Sequence, residues 1–327
     1  MTYEEISKLL EIDGKESPVF MPNEIFEDLQ AYTIDSSHVA YAYSYMYLTH
    51  FLYRNCKYFN VKTLLDGNII KQILGYSKSN RTMNYITKKG GLLDDIGYTT
   101  ATKNYPISWQ FKKESGEDLE FIMYEEIGAE VLLPIPKMFF LKYPIKALED
   151  RFIEKTTYTD DGEREVEEYE LRGTYFDVEQ THSVDFYVFM YCMSKKKLGV
   201  IAFYLYSWIK HRNDIFEGGY DVPMTKLSEE TGINRRSLIK YMDLLKGYRM
   251  ISFQHNQEYF VLAAKREDRK ATTYMTNDVD FFLDEPEGYK KMRVQLREEY
   301  FAMKAEQEEE GKGVKGRVDI PLAELPF

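Results

Sequence analysis

The sequence predicts an α+β fold, mainly α, in which two similar units are joined by a segment that contains an acidic β-hairpin. Within residues 222–264, helical spacing of apolar residues gives way to strand-like alternation. Residues 45–55 (YMYLTHFLYRN) match residues 203–213 (FYLYSWIKHRN) at a constant offset of 158, which indicates an internal repeat. The sequence TDDG at 159–162 lies in an acidic stretch between these copies and is typical of a hairpin turn.

Shifts in composition divide the chain into five parts. They are an N-terminal arm (1–17), a first unit (18–125), a connecting segment with the acidic hairpin (126–180), a second unit (181–265), and a C-terminal helix with a flexible tail (266–327). The carboxylates of the connecting segment are spread along polar strands, so we expect a solvated hairpin rather than a metal or acid–base site. An apolar stripe from Tyr289 to Met303 predicts a helix over 287–310.

The overall composition favours a cytoplasmic protein. The net charge is −11, 44% of the residues are hydrophobic, and no apolar run is long enough to cross a membrane. The start, MTYEEISKLL, is acidic and lacks the basic region of a signal peptide. Cys56 and Cys192 are far apart in apolar surroundings, so we expect reduced core thiols. The acidic balance argues against non-specific coating of DNA but leaves site-specific binding open.

The first unit begins with a long helix. Ser36 and Ser37 could cap a helix that runs to about Asn55. The tyrosines at 41, 43, 45 and 47 have the spacing of a strand, but the apolar residues of this stretch also share one helical face, and we favour the helix. Isoleucines then precede Gly75, and a basic stretch without acids follows at 77–89, which mirrors residues 234–251 of the second unit and predicts a second basic helix. We predict a hairpin over 96–109, with Lys103 near its tip.

The second unit contains a helix, a turn and a basic helix. Met224 and Leu227 fit one face of a short helix, and Gly232 ends it because glycine tolerates the left-handed backbone of a sharp turn. Asn234 is a fresh N-cap for a helix to Gly247. Its apolar positions recur at helical spacing, and its outer face is basic. Beyond Gly247 the residues alternate around the sequence HNQ at 255–257, which predicts a hairpin with this tip.

This order of helix, turn, basic helix and hairpin resembles the winged helix-turn-helix family. In that family the second helix enters the major groove of DNA and the wing touches the phosphate backbone. The resemblance implies DNA contacts at Asn234, Arg235, Arg236, Ser237 and Lys240, with His255 and Asn256 at the wing tip. In the first unit it implies contacts at Lys78, Asn80, Arg81, Lys88 and Lys103. A solvated basic face on a winged helix that binds proteins is the alternative interpretation.

Two such units in one chain resemble plasmid and phage replication initiators of the theta type, in particular those of Gram-positive plasmids. This resemblance covers about residues 19–265 and implies binding to a specific double-stranded DNA site, as an initiator or a transcriptional regulator. The sequence does not determine the oligomeric state, and a homodimer is one candidate. The last residues, VDIPLAELPF, resemble the acidic tail of bacterial single-stranded-DNA-binding proteins, which implies docking of a replication protein. A terminal strand that pairs back onto the body is the alternative for this tail.

Two further classes of function lead to different expectations. Some chromosome-segregation accessory proteins are acidic tandem winged-helix dimers that bind a partner peptide, and the net charge of −11 suits that class. An enzyme is not expected, because the sequence contains no GxxxxGK[ST] loop, no HExxH and no CxxC. The histidines are scattered, so we expect no metal site and no cofactor.

Overall fold

A computed structural model gives the structure of residues 1–14, 16–32, 35–60, 63–111, 119–127, 141–144, 152–158, 164–170, 180–257, 259–261 and 270–314. Over these residues the protein is α+β, with small sheets around a helical centre. No helix among them is both long and apolar enough to span a bilayer. Both cysteines are free thiols, and Cys192 is buried.

The N-terminal half is organised around one buried helix. It begins with α1 (Tyr3–Leu9), β1 (Val19–Pro22), α2 (Ile25–Tyr32) and α3 (Ser36–Arg54). Asp35 caps α3 in place of the predicted Ser36 or Ser37, because its side chain accepts the N–H of Ser37 at 2.7 Å. The predicted helix over this stretch is therefore present, one residue shorter at its end. Nearly every side chain from Val39 onward is buried, which explains why polar patterning is weak there.

Short elements complete this half. They are β2 (Phe59–Asn60), β3 (Thr63–Leu64), α4 (Gly67–Ile73), α5 (Asn84–Thr87), α6 (Leu92–Asp95), β4 (Thr99–Thr102), β5 (Pro106–Phe111), β6 (Leu119–Met123), α7 (Tyr124–Ile127) and β7 (Leu141–Pro144). β4 pairs with β7 and β5 pairs with β6. The predicted hairpin over 96–109 is therefore wrong. The hydroxyl of Thr102 accepts the N–H of Asn104 at 2.9 Å, and this turn carries the chain out of one sheet into another.

The connecting segment contains the predicted hairpin. β8 (Phe152–Tyr158) pairs antiparallel with β9 (Arg164–Glu170), from Phe152 opposite Glu170 to Tyr158 opposite Arg164. The turn at 159–163 lies outside the described residues. β7 lies within the segment that we assigned as a connector, so the first unit continues past residue 125.

The C-terminal half begins with a strand followed by two helices, an order that residues 19–54 also have. Its elements are β10 (Thr181–Val184), α8 (Phe186–Ser194), α9 (Gly199–Ile215), β11 (Tyr220–Val222), α10 (Met224–Thr231), α11 (Arg235–Gly247), β12 (Ile251–His255), β13 (Tyr259–Val261), β14 (Thr272–Thr276), β15 (Arg293–Gln295) and α12 (Arg297–Val314). One three-stranded sheet has the order β11-β14-β12, and β13 pairs in parallel with β15.

The matching segments at offset 158 lie on α3 and α9, which pack against each other at the centre. The ring centroids of Tyr47 and Phe203 are 4.8 Å apart, and those of Tyr43 and Tyr204 are 5.5 Å apart. The antiparallel pair β1–β10 joins the halves a second time. Because these contacts bury large aromatic surfaces, the two halves form one hydrophobic core.

The structure corrects several predictions at the C-terminal end. β12 pairs with β14 and not with residues 259–261, so the predicted hairpin tip at 255–257 is wrong. The sheet also extends past residue 265, where we placed the end of the second unit. The C-terminal helix begins at Arg297 rather than near 287, because residues 293–295 form a strand instead. The charged stretch from Glu306 to Lys315, which we predict to be flexible, is helical up to Val314, and residues 315–327 lie outside the described residues.

Candidate nucleic-acid interface

The helix α11 is built by the local sequence that precedes it. Gly232 has φ of 66°, a left-handed conformation that ends α10 without steric cost for glycine. The side chain of Asn234 accepts the N–H of Ser237 at 2.9 Å and so caps α11 as predicted. Leu238, Met242 and Leu245 are fully buried, which fixes the face that turns inward.

The outward face of α11 carries the predicted cations. Arg235, Arg236 and Lys240 are exposed, whereas Ser237 is half-buried. At 3.6 residues per turn, Arg236 and Lys240 lie opposite the buried positions. Asp243 is half-buried and is the one carboxylate in the sequence RRSLIKYMDLLKG of this helix. The N-terminal part of α11 therefore presents positive charge to solvent.

The N-terminal half of the molecule holds the start of α11 in place. The hydroxyl of Ser36, in the first turn of α3, accepts the N–H of Asn234 at 2.9 Å and donates to the carbonyl of Gly232 at 2.9 Å. The Gln30 amide donates to the carbonyl of Glu230, and the Tyr204 hydroxyl donates to that of Thr231 at 3.0 Å. These bonds occupy carbonyl groups at the end of α10 that would otherwise lack helical partners.

The structure brings the residues just before the first unit's basic stretch near α11. Gly75 and Tyr76 line the same cavity of about 400 Å³ as Tyr241 of α11. Lys78 and Arg81 follow within the next turns and are exposed. Asn80 is half-buried, and its side chain accepts the N–H of Thr82 at 2.9 Å, so it shapes the loop. Of the residues predicted in this unit, Lys78 and Arg81 are the exposed cations that follow Tyr76 most directly in the chain.

Lys88 and Lys103 have different surroundings. The predicted copy of the basic helix is not continuous, because this stretch forms only α5 and α6, of four residues each. Lys88 is exposed after α5, and its carbonyl accepts a hydrogen bond from the buried Lys142 ammonium at 2.9 Å. Lys103 is exposed in the turn between β4 and β5. The prediction of two equivalent basic helices is therefore wrong.

His255 ends β12 and Asn256 follows it, so neither lies at the tip of a hairpin between β12 and β13. His255 pairs with Thr272 in the sheet, and burial lowers the pKa of its imidazole, with the Lys246 charge as a smaller cause. The Asn256 amide donates to the Ala271 carbonyl and to the Thr273 hydroxyl, both at 2.8 Å. These side chains hold the two ends of the connection 256–271 together. Residues 262–269 of that connection lie outside the described residues.

Sequence reasoning missed a segment that lies against α11. Residues 286–295, here called the strap, run past the end of α11, and residues 293–295 pair with β13. The strap contains Lys290, Lys291 and Arg293, all exposed. The sequence KKMR at 290–293 was a visible signal, but the apolar stripe through it favours a helix.

Comparison with models of protein families, with curated proteins and with solved structures finds no significant match. The function of this surface is therefore inferred from its charge, its burial and the arrangement of its elements.

Proposed function

We propose that the chain binds a specific double-stranded DNA site through α11, as a replication initiator or a transcriptional regulator. The observation that carries this proposal is a capped helix of 13 residues with a buried apolar face and an exposed basic face. Its surroundings support the proposal, because the order α9-β11-α10-α11-β12-β14 and the sheet order β11-β14-β12 suit a winged helix.

The chemistry of the exposed side chains suits this role. An α-helix fits the major groove, where an arginine can bond guanine O6 and N7 together through its planar guanidinium. Arg235 and Arg236 would read bases in this way, and Lys240 would contact a phosphate or a base edge. Lys78 and Arg81 would add phosphate contacts beside α11. Lys88 and Lys103 take a smaller share, and His255 and Asn256 are assigned to holding the wing.

The remaining partners follow from the same proposal. A homodimer would place two copies of α11 on repeated half-sites, as in dimeric helix-turn-helix proteins. A replication protein docking on the tail would use residues 315–327, which lie outside the described residues. No enzyme activity, metal or cofactor is proposed.

A second candidate is an adaptor that binds a protein partner through the same face. The net charge of −11 favours it, as does Ile239, which is 44% exposed between the basic residues of α11. An adaptor would use this apolar residue as an anchor, whereas a DNA reader would place it against a thymine methyl group.

Selection of bound fragments from random and genomic DNA tests the proposal. The wild type and the Arg235→Glu/Arg236→Glu variant would be run in parallel at about 50 mM salt, where phosphate contacts are strongest. We expect one enriched motif that the variant loses. Half-sites near an origin or a promoter would separate initiator from regulator. Absence of enrichment by the wild type would reject DNA binding and leave the adaptor.

A further inference from the structure

The strap fits closely against the C-terminal end of α11. The Glu287 N–H donates to the Gly247 carbonyl at 2.9 Å. A Cβ on Gly247 would lie 3.2 Å from the Glu287 carbonyl oxygen and 3.3 Å from Cβ of Pro286, so there is little room for a side chain. Arg249, just beyond α11, also bonds the Glu287 carboxylate at 2.8 Å. This end of α11 is thus formed to receive the strap.

The strap also compensates the one negative charge on α11. The Tyr289 hydroxyl donates a hydrogen bond to Asp243, and the Lys291 ammonium lies 3.6 Å from the other carboxylate oxygen. The Tyr289 ring packs on Phe253 of β12, with centroids 5.2 Å apart, and the Lys246 ammonium is 5.4 Å from its centre. Lys246 of α11 also interacts electrostatically with Asp243, and the strap adds a hydrogen-bond donor and a second ammonium to this carboxylate.

The strap then reaches the wing. β15 pairs in parallel with β13, and Arg293, Val294 and Gln295 stand opposite Tyr259, Phe260 and Val261. One continuous segment therefore bridges α11 and the wing, which are the two elements that a winged helix applies to DNA. It brings Lys290, Lys291 and Arg293 to this place, and all three are exposed.

We propose that the strap is a third DNA-contacting element, which places Lys290, Lys291 and Arg293 on phosphates and neutralises Asp243 beside the bases. This inference rests on the proposed function of α11 and names a further part of the same surface. A cation that contacts a phosphate releases counterions, so each contact adds about 0.9 to the slope of log affinity against log salt concentration. A strap that merely shielded α11 would have the opposite effect on affinity.

The salt dependence of binding tests the inference in the full chain. The duplex enriched by the wild type would be titrated with the wild type, with Lys290→Gln/Lys291→Gln/Arg293→Gln, and with Lys304→Gln of α12 as a control. We expect the triple variant to lose 10- to 100-fold in affinity at about 100 mM salt and about 2 to 3 in slope. The control should match the wild type. Circular dichroism would verify that all three proteins are folded.

The outcomes separate the two proposals. An unchanged slope in the triple variant, or tighter binding, would overturn the role of the strap while DNA binding by α11 stands. If the wild type enriches no DNA, both proposals fall.

The neutralisation of Asp243 has a test of its own. Asp243→Asn should recover part of the affinity that Lys291→Gln loses, because the exposed carboxylate is then gone. An equal loss from Lys291→Gln in both backgrounds would show that Lys291 does not act on Asp243.

Discussion

The two halves of the molecule carry a basic stretch at the same place in the order of their elements, and they fold it differently. Residues 235–247 form one helix of 13 residues. Residues 77–89 form loops and the four-residue helix α5. In this loop the buried Lys71 ammonium donates to the Asn80 carbonyl at 3.0 Å and to the Asn84 side chain. The buried Lys142 ammonium donates a hydrogen bond to the Lys88 carbonyl.

The comparison shows why residues 235–247 expose a basic helix whereas residues 77–89 do not. Interior lysines in the N-terminal half occupy carbonyl groups that a continuous helix would use for its own hydrogen bonds. The C-terminal half has an apolar row, Leu238, Met242 and Leu245, at the equivalent stage, so the helix continues and its basic face stays outside. A presented basic helix is thus a property of one half.

The contact between the two halves contains three buried histidines, and their protonation gives the largest expected effect on stability. Burial lowers the pKa of His50 to about 3, that of His182 well below its usual value, and that of His211 to about 4. Below a pH of about 6.5 these histidines bind protons in the unfolded chain but stay neutral in the folded chain. The free energy of unfolding is therefore highest above this pH, and it decreases as the pH falls towards the pKa values of the folded state. At a pH of about 5.5 each histidine lowers the free energy of unfolding by about 1.4 kcal/mol, and the three together lower it by about 4 kcal/mol.

Urea unfolding at pH values of about 7.5 and 5.5 would measure this loss. His211→Gln should remove about a third of it, because one titrating group is gone. Equal stability of the wild type at the two pH values would contradict the neutral, buried state of these histidines.

The ion pair between Lys142 and Asp94 in the N-terminal half gives the next largest expected effect on stability. Burial lowers the pKa of the Lys142 ammonium, and the adjacent Asp94 carboxylate opposes this shift. Asp94→Ala leaves the lysine buried without its counterion and should destabilise the fold by about 3 kcal/mol. Asp214→Ala removes the partly exposed pair with Lys210 in the other half and should cost less than about 0.5 kcal/mol. Similar losses in urea unfolding would mean that Lys142 needs no partner.

Backbone crowding gives a smaller effect. A Cβ on Gly91 would lie 2.6 Å from the Tyr85 carbonyl oxygen and 2.8 Å from that of Lys88. Gly91→Ala should therefore force the turn after α5 to move and cost about 2 kcal/mol. Gly67→Ala is the matched control, because nothing lies within 4 Å of the added Cβ and alanine favours the helix α4. A neutral Gly91→Ala in thermal unfolding would show that the turn is not tightly closed.

Sequence patterns were sufficient for the elements that local forces form. Asn234 and Gly232 mark the start of α11 because a cap and a left-handed glycine act within a few residues. The repeat at offset 158 identified α3 and α9, whose equivalent positions carry the same buried faces. The exposed residues Arg235, Arg236 and Lys240 follow directly from that helical period.

Strand partners could not be predicted in the same way. In both halves the sequence favoured pairing with the next strand, whereas β4 pairs with β7 and β12 pairs with β14. Strands pair through backbone groups, which are the same for every residue, so the sequence of β4 does not determine which strand pairs with it. The strap was missed for a related reason, since its position depends on pairing with β13.

The central claim is that the C-terminal half presents the DNA-reading helix. Its most direct test is the affinity of the enriched duplex for two charge-reversal variants, Arg235→Glu/Arg236→Glu and Lys88→Glu/Lys89→Glu, at about 100 mM salt. Each changes the net charge equally, so non-specific repulsion is matched. We expect a loss of at least about 100-fold for the first, because bidentate base contacts are removed, and less than about 3-fold for the second. Equal losses, or a larger loss for the second variant, would contradict the claim.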